Sequence, residues 1–357
     1  MTKKITKKVY KKIRQSSFLR IGLEFVRPRP KPEKKVHFKS QLLEEAAQRK
    51  KLVYERINNR ILIIQINGKQ LLFDNMDGPS ASNGIKNFCD DKYLTRVLLE
   101  KNQVPVPKTK KVKVSDFEKL RNFAEEIGYP VVIKPLSLSQ GSGVITGIQN
   151  ETQLKKAQNK LMNLMLSKHK DILIEEEFEG SDYRFFGVNN KVFSVQKRMR
   201  ANVVGDGVST IRKLIEEKNV IRAQNRYLKN SLIPIDMDAL DNLKKLNLSL
   251  DSVPNKGATV ILRTLSNLSA GGDSINVTDE THPEFFEIVE NVLKVTPEIK
   301  YIGIDVLAKD ISQKPTADNY IVTELEFSPG PGIMFPIKGQ PMDMAGAILD
   351  YYIKNYA

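Results

Sequence analysis

The sequence predicts a mixed α+β fold, and three observations support that prediction. The chain has 357 residues, of which 40% are hydrophobic and 28% are charged, as expected for a globular protein of two or three domains. From residue 90 onward, short apolar runs typical of strands alternate with helical periodicity. Uninterrupted apolar runs reach only four residues, as in 61–64, so no membrane-spanning helix is expected.

A helix and a hairpin are predicted before residue 90. The apolar face of the helix is predicted to consist of Leu42, Leu43, Ala46, Val53 and Ile57. Segments 61–66 and 70–73 flank Asn67-Gly68, a pair that favours the tight turn of a β-hairpin. Residues 40–90 are therefore expected to form a short N-terminal region.

Strands and helices alternate over the rest of the chain. Strands are predicted at 131–134, 172–175, 185–188, 192–195, 260–263, 302–306 and 320–325. Asn150 and Gln153 have the spacing of a capping box and predict a helix start. The buried face of that helix is expected to comprise Leu154, Ala157, Leu161 and Leu164. Further helices are predicted near 211–217 after a tight turn at 205–207, from 283 onward, and across 345–352.

The net charge of +15 is concentrated at the N-terminus. Residues 1–39 hold fourteen lysines and arginines and two glutamates, a net charge of +12, so the remainder is nearly neutral. Prolines alternate with basic residues in 27–32, which predicts an extended linker. We therefore predict a basic arm with its linker over 1–39, and a body that binds nucleic acid is disfavoured. The arm is either a solvated tail or a contact for an anionic polymer, RNA or membrane surface.

The rare reactive residues exclude several kinds of site. Cys89 is the single cysteine, which rules out a disulfide within the chain and favours a reducing compartment such as the cytoplasm. The three histidines are far apart in sequence and have no cysteines near them, so no zinc site is predicted. Charged residues interrupt the apolar stretch 18–26, so no secretory signal is expected.

Three groups of residues could carry chemistry. Lys134 ends an apolar strand and is followed by a glycine- and serine-rich loop at 139–143, an arrangement that suits phosphate oxygens but also an ordinary hairpin. Glu175 begins an acidic run at the end of a strand, which is either a solvated face or an adenine contact. Glu324 and Glu326 share one face of a strand, and with Asp305 they offer the hard oxygen ligands that Mg²⁺ prefers.

Taken together and in this order, the three groups resemble the ATP-grasp superfamily. The resemblance runs from about residue 71 to the C-terminus and is greatest to the ATP-grasp portions of bifunctional glutathione synthetases and of cyanophycin synthetase. The stretches that carry it are 90–95, 131–135, 201–207, 262–273 and 324–330. The resemblance implies an ATP-grasp domain over 91–357, with a lid subdomain at about 130–200.

The resemblance also implies a nucleotide site. The residues expected to bind ATP are Lys92, Lys134, Gly141, Ser142, Gly143, Glu175, Phe178, Asp182 and Lys197. The lysines would contact the phosphates, and the glycine-serine segment would be a mobile phosphate lid. Glu175 and Phe178 would line the adenine, with Asp182 near the ribose.

The catalytic and metal residues follow from the same resemblance. Arg198 would approach the phosphates or an acyl phosphate, and Arg263 would stabilise charge at the reacting carboxyl group. Asp305, Glu324 and Glu326 would hold Mg²⁺ or Mn²⁺. The family usually has Asn at the position of Glu326, so this carboxylate adds a negative charge.

The expected activity is an ATP-dependent ligase that joins a carboxylate to an amine through an acyl phosphate, acting on small molecules such as amino acids, peptides or glutathione precursors. Two alternatives stay open at this point. One is a non-catalytic or regulatory ATP-binding protein, an alternative suggested by Glu326 and by the unusual N-terminal region. The other is a kinase-like phosphotransferase, although the His-Arg-Asp and Asp-Phe-Gly motifs are missing. An oligomer is compatible with the sequence.

The basic arm gives a first testable prediction. If it is an independent tether, deletion of residues 1–35 leaves turnover of small substrates nearly unchanged and weakens binding to anionic vesicles or polyanions. Added salt should mimic the deletion, because it screens the charges. Sedimentation with vesicles measures the binding. Equal vesicle binding by the full-length and the truncated chain at low salt contradicts the prediction, as does a truncated chain that fails to fold.

Overall fold

The structure is a computed structural model that describes residues 35–136, 143–165, 170–296 and 299–356. Most of the predicted basic arm lies outside these residues, as do Gly141 and Ser142 of the predicted phosphate lid. The helices are α1 (Phe38–Arg49), α2 (Asn83–Asp90), α3 (Lys92–Lys101), α4 (Phe117–Ile127), α5 (Glu151–Met165), α6 (Ile211–Gln224), α7 (Met237–Lys245), α8 (Pro283–Val295) and α9 (Met344–Asn355).

The strands form four antiparallel sheets within the described residues. The first seven strands are β1 (Tyr54–Arg56), β2 (Ile61–Ile66), β3 (Lys69–Asp74), β4 (Thr109–Lys113), β5 (Val131–Pro135), β6 (Ile145–Ile148) and β7 (Asp171–Glu176). The others are β8 (Ser181–Val188), β9 (Lys191–Met199), β10 (Asn202–Val204), β11 (Thr259–Ile261), β12 (Asp273–Asn276), β13 (Tyr301–Ala308) and β14 (Tyr320–Glu326).

The N-terminal region packs against the end of the chain. Its sheet has the order β1-β2-β3, and Asn67 and Gly68 form the predicted hairpin turn with φ of +50° and +78°. Its apolar core joins α1, β2 and β3 to α9. The prediction that Val53 and Ile57 extend the apolar face of α1 is wrong, because the helix ends at Arg49 and both side chains are exposed.

A four-stranded sheet of order β4-β7-β5-β6 forms the second unit, with α4 and α5 completing its core. This unit runs from Thr109 to Glu176, so it begins and ends earlier in the chain than the predicted lid subdomain at about 130–200. The difference arises because β4 pairs with β7, whereas β8 and β9 belong to another sheet. The predicted capping box at the start of α5 is confirmed: the Gln153 amide donates to Asn150 Oδ1 at 3.0 Å. Leu164 was expected to be buried on this helix but is exposed.

A five-stranded sheet of order β12-β9-β8-β13-β14 forms the centre of the molecule. Its apolar core includes side chains of α8. In its register, Asp305 on β13 lies opposite Arg184 on β8 and opposite Glu324 on β14. This register brings three charged side chains from three strands together.

A smaller unit lies in sequence between β9 and β12. It contains the β10-β11 pair, α6 and α7, and it has an apolar core of its own. The sequence prediction treated this stretch as an undivided part of the domain over 91–357. Among the described residues, no helix is both long and apolar enough to cross a bilayer.

The junction between the N-terminal region and α9 yields a second prediction. A Cβ added at Gly78 would lie 2.5 Å from the Tyr352 hydroxyl and 2.6 Å from the Phe73 ring. Gly78→Ala should therefore lower the free energy of unfolding by about 1–3 kcal/mol through overpacking.

Gly84→Ala is the matched control for that variant. Gly84 lies in α2, and the nearest atom to an added Cβ is Ser82 Oγ at 3.7 Å. Alanine favours a helix over glycine by up to about 1 kcal/mol, so this variant should be neutral or more stable. Urea unfolding measures both variants, and equal unfolding curves would contradict the prediction.

Candidate active site

A cleft of about 1080 Å³ is lined by residues of both the four-stranded and the five-stranded sheets. The four-stranded sheet contributes Lys134 and Glu175, and the five-stranded sheet contributes Arg184, Asp305 and Glu324. A concave site of this size is large enough for a nucleotide. The cleft is the place where the predicted site residues meet.

Asp305 is the centre of an arginine–carboxylate cluster in this cleft. It is 3% exposed. Arg184 donates to both of its oxygens, at 2.7 and 2.8 Å, and Arg198 Nη2 donates to Oδ2 at 2.7 Å. Burial alone would raise the pKa of Asp305, but the two guanidinium groups overcome this and lower it to about 2. Asp305 is therefore ionised at neutral pH.

Arg198 is shared between two carboxylates. It also donates to Asp182 Oδ1 at 2.6 Å, and Ser266 donates to the other oxygen of Asp182. Asp182, Arg198 and their strand neighbour Lys197 all line the cleft. Arg198 is thus held at the cleft wall by charges on both sides.

Lys92 lies at the start of α3, where Asp91 caps the helix by accepting from the amides of Tyr93 and Leu94. Its ammonium nitrogen is 2.6 Å from Glu324 Oε1 on β14. The cap fixes the first turn of the helix, and so it fixes where Lys92 enters the cleft. The side chains of Lys92 and Glu324 remain 14% and 31% exposed, so both face the cleft.

Lys134 forms a second ion pair, with Glu175. Lys134 Nζ is 2.6 Å from Glu175 Oε2. Burial would raise the pKa of Glu175, but Arg96 and Lys134 outweigh burial and hold that pKa below its ordinary value. Burial lowers the pKa of Lys134. The sequence prediction placed Glu175 beside the adenine; its carboxylate is instead engaged by these two cations.

Glu326 is less tightly held than the other carboxylates. Its side chain is 39% exposed, and its Oε2 lies 3.5 Å from Arg184 Nη2. Partial burial raises its pKa, with Asp305 and Glu324 adding to the rise and Arg184 opposing it. A carboxylate that is repelled by two others attracts a cation.

The three predicted metal ligands do not form a ready-made cluster. Within the residues that the structure describes, no three or more His, Cys, Asp or Glu side chains are arranged to hold a metal ion. Asp305 is committed to two arginines, which corrects the expected three-carboxylate site. Glu324 and Glu326, on one face of β14 and half-exposed, have the donor chemistry that fits Mg²⁺.

The remaining predicted residues divide into two groups. Phe178 lines the cleft as expected. Gly143 does not line it and instead lies where an added Cβ would meet Pro135 and Leu164. Arg263, expected at the reacting carboxyl group, lies outside the cleft lining because its guanidinium is held by Asp236 at 2.6 Å and Asp238 at 2.8 Å.

Sequence reasoning missed two arginines. Arg184 was given no role, although it lies two residues after Asp182 on a strand, a spacing that places both side chains on one face. Arg96 lies one helical turn after Lys92 and is 2% exposed. A signal for Arg96 was its place among the buried positions of a helix, with Thr95 and Leu99.

Comparison with known proteins agrees with this geometry. The sequence profile of the phosphoribosylglycinamide synthetase ATP-grasp (A) domain matches residues 90–200. A cyanophycin synthetase from Synechocystis is 34% identical over 271 residues, which is 75% of this chain and 30% of that protein. The glutathione biosynthesis bifunctional protein GshAB of Clostridium perfringens is 33% identical over 268 residues, covering 73% of this chain and 33% of its own length.

One solved structure resembles the fold over most of the chain. The bifunctional glutathione synthetase from Pasteurella multocida superposes with a TM-score of 0.66 and 24% identity, covering 89% of this chain and 44% of that one. With the profile match over residues 90–200, this likeness shows that the chain has the ATP-grasp fold. The chain spans about a third of the length of the curated relatives that it matches.

The buried aspartate gives a third prediction. The pKa of Asp305 is about 2 in the folded chain and near 3.9 for an unfolded aspartate, so its ion pairs stabilise the fold above about pH 4. This contribution is lost as the pH falls toward 2. Asp305→Asn removes it and leaves two arginines without their carboxylate.

The pH dependence of that variant is the measurement. The difference in unfolding free energy between wild type and Asp305→Asn should be large at pH 6 and should shrink at pH 3. Urea unfolding at the two pH values measures it. A difference that stays constant with pH would contradict the assignment.

Proposed function

We propose that the chain is an ATP-dependent carboxylate–amine ligase that works through an acyl phosphate. The observation that carries this proposal is a cleft in which several cations face a pair of half-exposed carboxylates. The cations include Lys92, Lys134, Arg184 and Arg198, and the carboxylates of the pair are Glu324 and Glu326. Cations suit the phosphates of ATP, and hard carboxylate oxygens suit the metal ion that accompanies them.

The basic residues act on the phosphates. Lys134 and Lys92 approach from two different elements, so they can contact the same triphosphate from two sides. Arg184 and Arg198 lie on the opposite sheet, next to Asp305. Phosphoryl transfer needs positioning and charge neutralisation more than covalent help from the protein, and this set of side chains provides both.

Glu324 and Glu326 would hold Mg²⁺ or Mn²⁺. When bound, the metal ion would neutralise phosphate charge and orient the transferred group. Asp305 would contribute as a ligand only where Arg184 and Arg198 turn from it toward the phosphates. The chain's own part is to present two carboxylates on one strand face at the end of β14.

No protein nucleophile is required for this reaction. Cys89 lines the cleft, but burial, with Asp90 and Glu326 adding to it, raises the pKa of its thiol to about 12. The thiol is therefore protonated at neutral pH and unsuited to attack. The acid is instead activated by phosphorylation, and the amine displaces phosphate from the acyl phosphate.

The substrates are proposed from the relatives. Cyanophycin synthetase and glutathione biosynthesis proteins are named for products made of amino acids, so we propose an amino acid or short peptide on each side of the new amide bond.

We also propose that the basic arm contacts an anionic polymer or surface. The single cysteine favours work in the reducing cytoplasm.

A product screen tests the proposal. The chain is incubated with MgATP, the 20 amino acids and selected dipeptides, and amide products and ADP are read by mass spectrometry. ADP release together with a new amide supports the ligase. Binding of MgATP without any product favours a regulatory nucleotide-binding protein, and phosphorylation of a hydroxyl group favours a phosphotransferase.

Site variants provide the fourth prediction. Glu324→Ala should abolish turnover because it removes a metal ligand, and Lys134→Ala should lose most phosphoryl transfer because a cation at a phosphate acts chiefly in the transition state. Glu326→Asn should be tolerated, since the amide oxygen still binds a metal ion. ADP release measures all three variants. Unchanged release by Lys134→Ala would contradict its assignment.

A further inference from the structure

A buried arginine, Arg96, connects the two sheets that form the cleft. Its Nε and Nη2 donate to Glu175 Oε1 at 3.3 and 3.2 Å, and Glu175 belongs to the four-stranded sheet. Its Nη1 donates to the Val322 carbonyl at 3.4 Å, and Val322 belongs to β14 of the five-stranded sheet. Arg96 does not line the cleft. It therefore acts on the site only through its partners.

Glu175 passes this contact on to Lys134. One carboxylate oxygen of Glu175 accepts from Arg96, and the other lies 2.6 Å from Lys134 Nζ. The Thr109 hydroxyl also reaches Glu175 Oε1, at 3.3 Å. Arg96 and Glu175 are almost completely buried, so an unpaired charge at either position would be costly. The direction of the Lys134 ammonium thus depends on Arg96.

The same helix also carries the other phosphate-facing lysine. Lys92 and Arg96 are four residues apart in α3 and so lie on one face of it. Lys92 contacts Glu324 on β14 directly, whereas Arg96 reaches Lys134 through Glu175. One rigid helix therefore sets the distance between two lysines that belong to different units.

We propose that Arg96 is a positioning residue for the triphosphate of ATP, holding Lys134 through Glu175 and fixing the four-stranded sheet against β14. This inference rests on the proposed function. A lysine cannot replace the arginine fully, because the planar guanidinium donates in two directions at once whereas an ammonium is a single point charge. The alternative role for Arg96 is purely structural, as part of a buried ion pair that only stabilises the fold.

Binding measurements on the full chain separate these two roles. Calorimetric titration with MgATP and with adenosine compares a ligand that has phosphates with one that has none. Arg96→Met should weaken MgATP binding at least about tenfold while adenosine affinity stays within about twofold of wild type. Arg96→Lys should fall between Arg96→Met and wild type. Equal losses for both ligands, or wild-type MgATP affinity in folded Arg96→Met, would overturn the proposal.

Arg222→Met is the matched control. Arg222 is fully buried and donates to Asp273 Oδ1 at 3.0 Å, but it lies outside the cleft lining. The Arg222→Met substitution should lower the unfolding temperature and leave the affinities for MgATP and adenosine unchanged. If Arg96→Met does not fold, Arg96→Lys decides, and wild-type MgATP affinity in that variant overturns the proposal.

Failure of the ligase proposal can be distinguished from failure of the proposal for Arg96. A wild-type chain that binds MgATP but forms no amide refutes the ligase and leaves the Arg96 test standing. A wild-type chain that binds no MgATP refutes both. Loss of MgATP affinity in the variants, with product formation by the wild type, supports both.

Discussion

Burying several positive charges in one cleft requires a negative partner for each of them, and this requirement organises the centre of the molecule. A buried ion without a partner costs several kcal/mol, which is a large part of the net stability of a domain. Asp305 meets the requirement for Arg184 and Arg198, and it can do so only because β13 is paired with β8 in the register that sets Asp305 opposite Arg184. A shift by one residue would turn Asp305 to the other face of the sheet.

The partners of these cations come from distant parts of the chain. Lys92 and Glu324 are 232 residues apart in sequence, and Arg184 and Asp305 are 121 apart. The cleft is therefore complete only after both sheets have formed and met. This dependence links the stability of the whole domain to the geometry of the site, and it also explains why positive charge suited to a polyphosphate is tolerated there.

The features that the sequence predicted well have local causes. Asn67-Gly68 makes a hairpin by its own backbone preferences, and Asn150 with Gln153 caps a helix within one turn. The error at Val53 and Ile57 arose because the apolar pattern continued past the end of its helix, beyond the positive φ of Lys51.

The candidate site shows the same division. Resemblance located most of the described site residues that line the cleft, because they follow one another in a fixed order along the chain; Gly143 and Arg263 are exceptions. It did not find the partners of Arg96 or place Arg263, because which carboxylate a cation meets is decided by sheet register and by packing between units. Asp236 and Asp238, which hold Arg263, belong to the smaller unit that the sequence did not separate from the rest.

The register also bears on the carboxylate of Glu326, a position where the resemblance implies Asn. An extra negative charge beside Glu324 and Asp305 would be unfavourable if nothing balanced it. Gly303, opposite Glu326 on β13, leaves room beside the strand, since an added Cβ there would lie 3.3 Å from the Arg184 side chain. Arg184 Nη2 lies 3.5 Å from Glu326 Oε2, and Lys39 on α1 also opposes the negative charge of Glu326.

Lys39 is held in place by Ser328, two residues after Glu326, because its ammonium group donates to the Ser328 carbonyl and hydroxyl oxygens. Lys39 is the last residue of the predicted basic arm over 1–39, but its ammonium group lies at the end of β14 and offsets charge there. Arg184 and Lys39 therefore offset part of the charge of Glu326, although burial and the two neighbouring carboxylates still raise its pKa. A carboxylate at this position is compatible with the metal site proposed above.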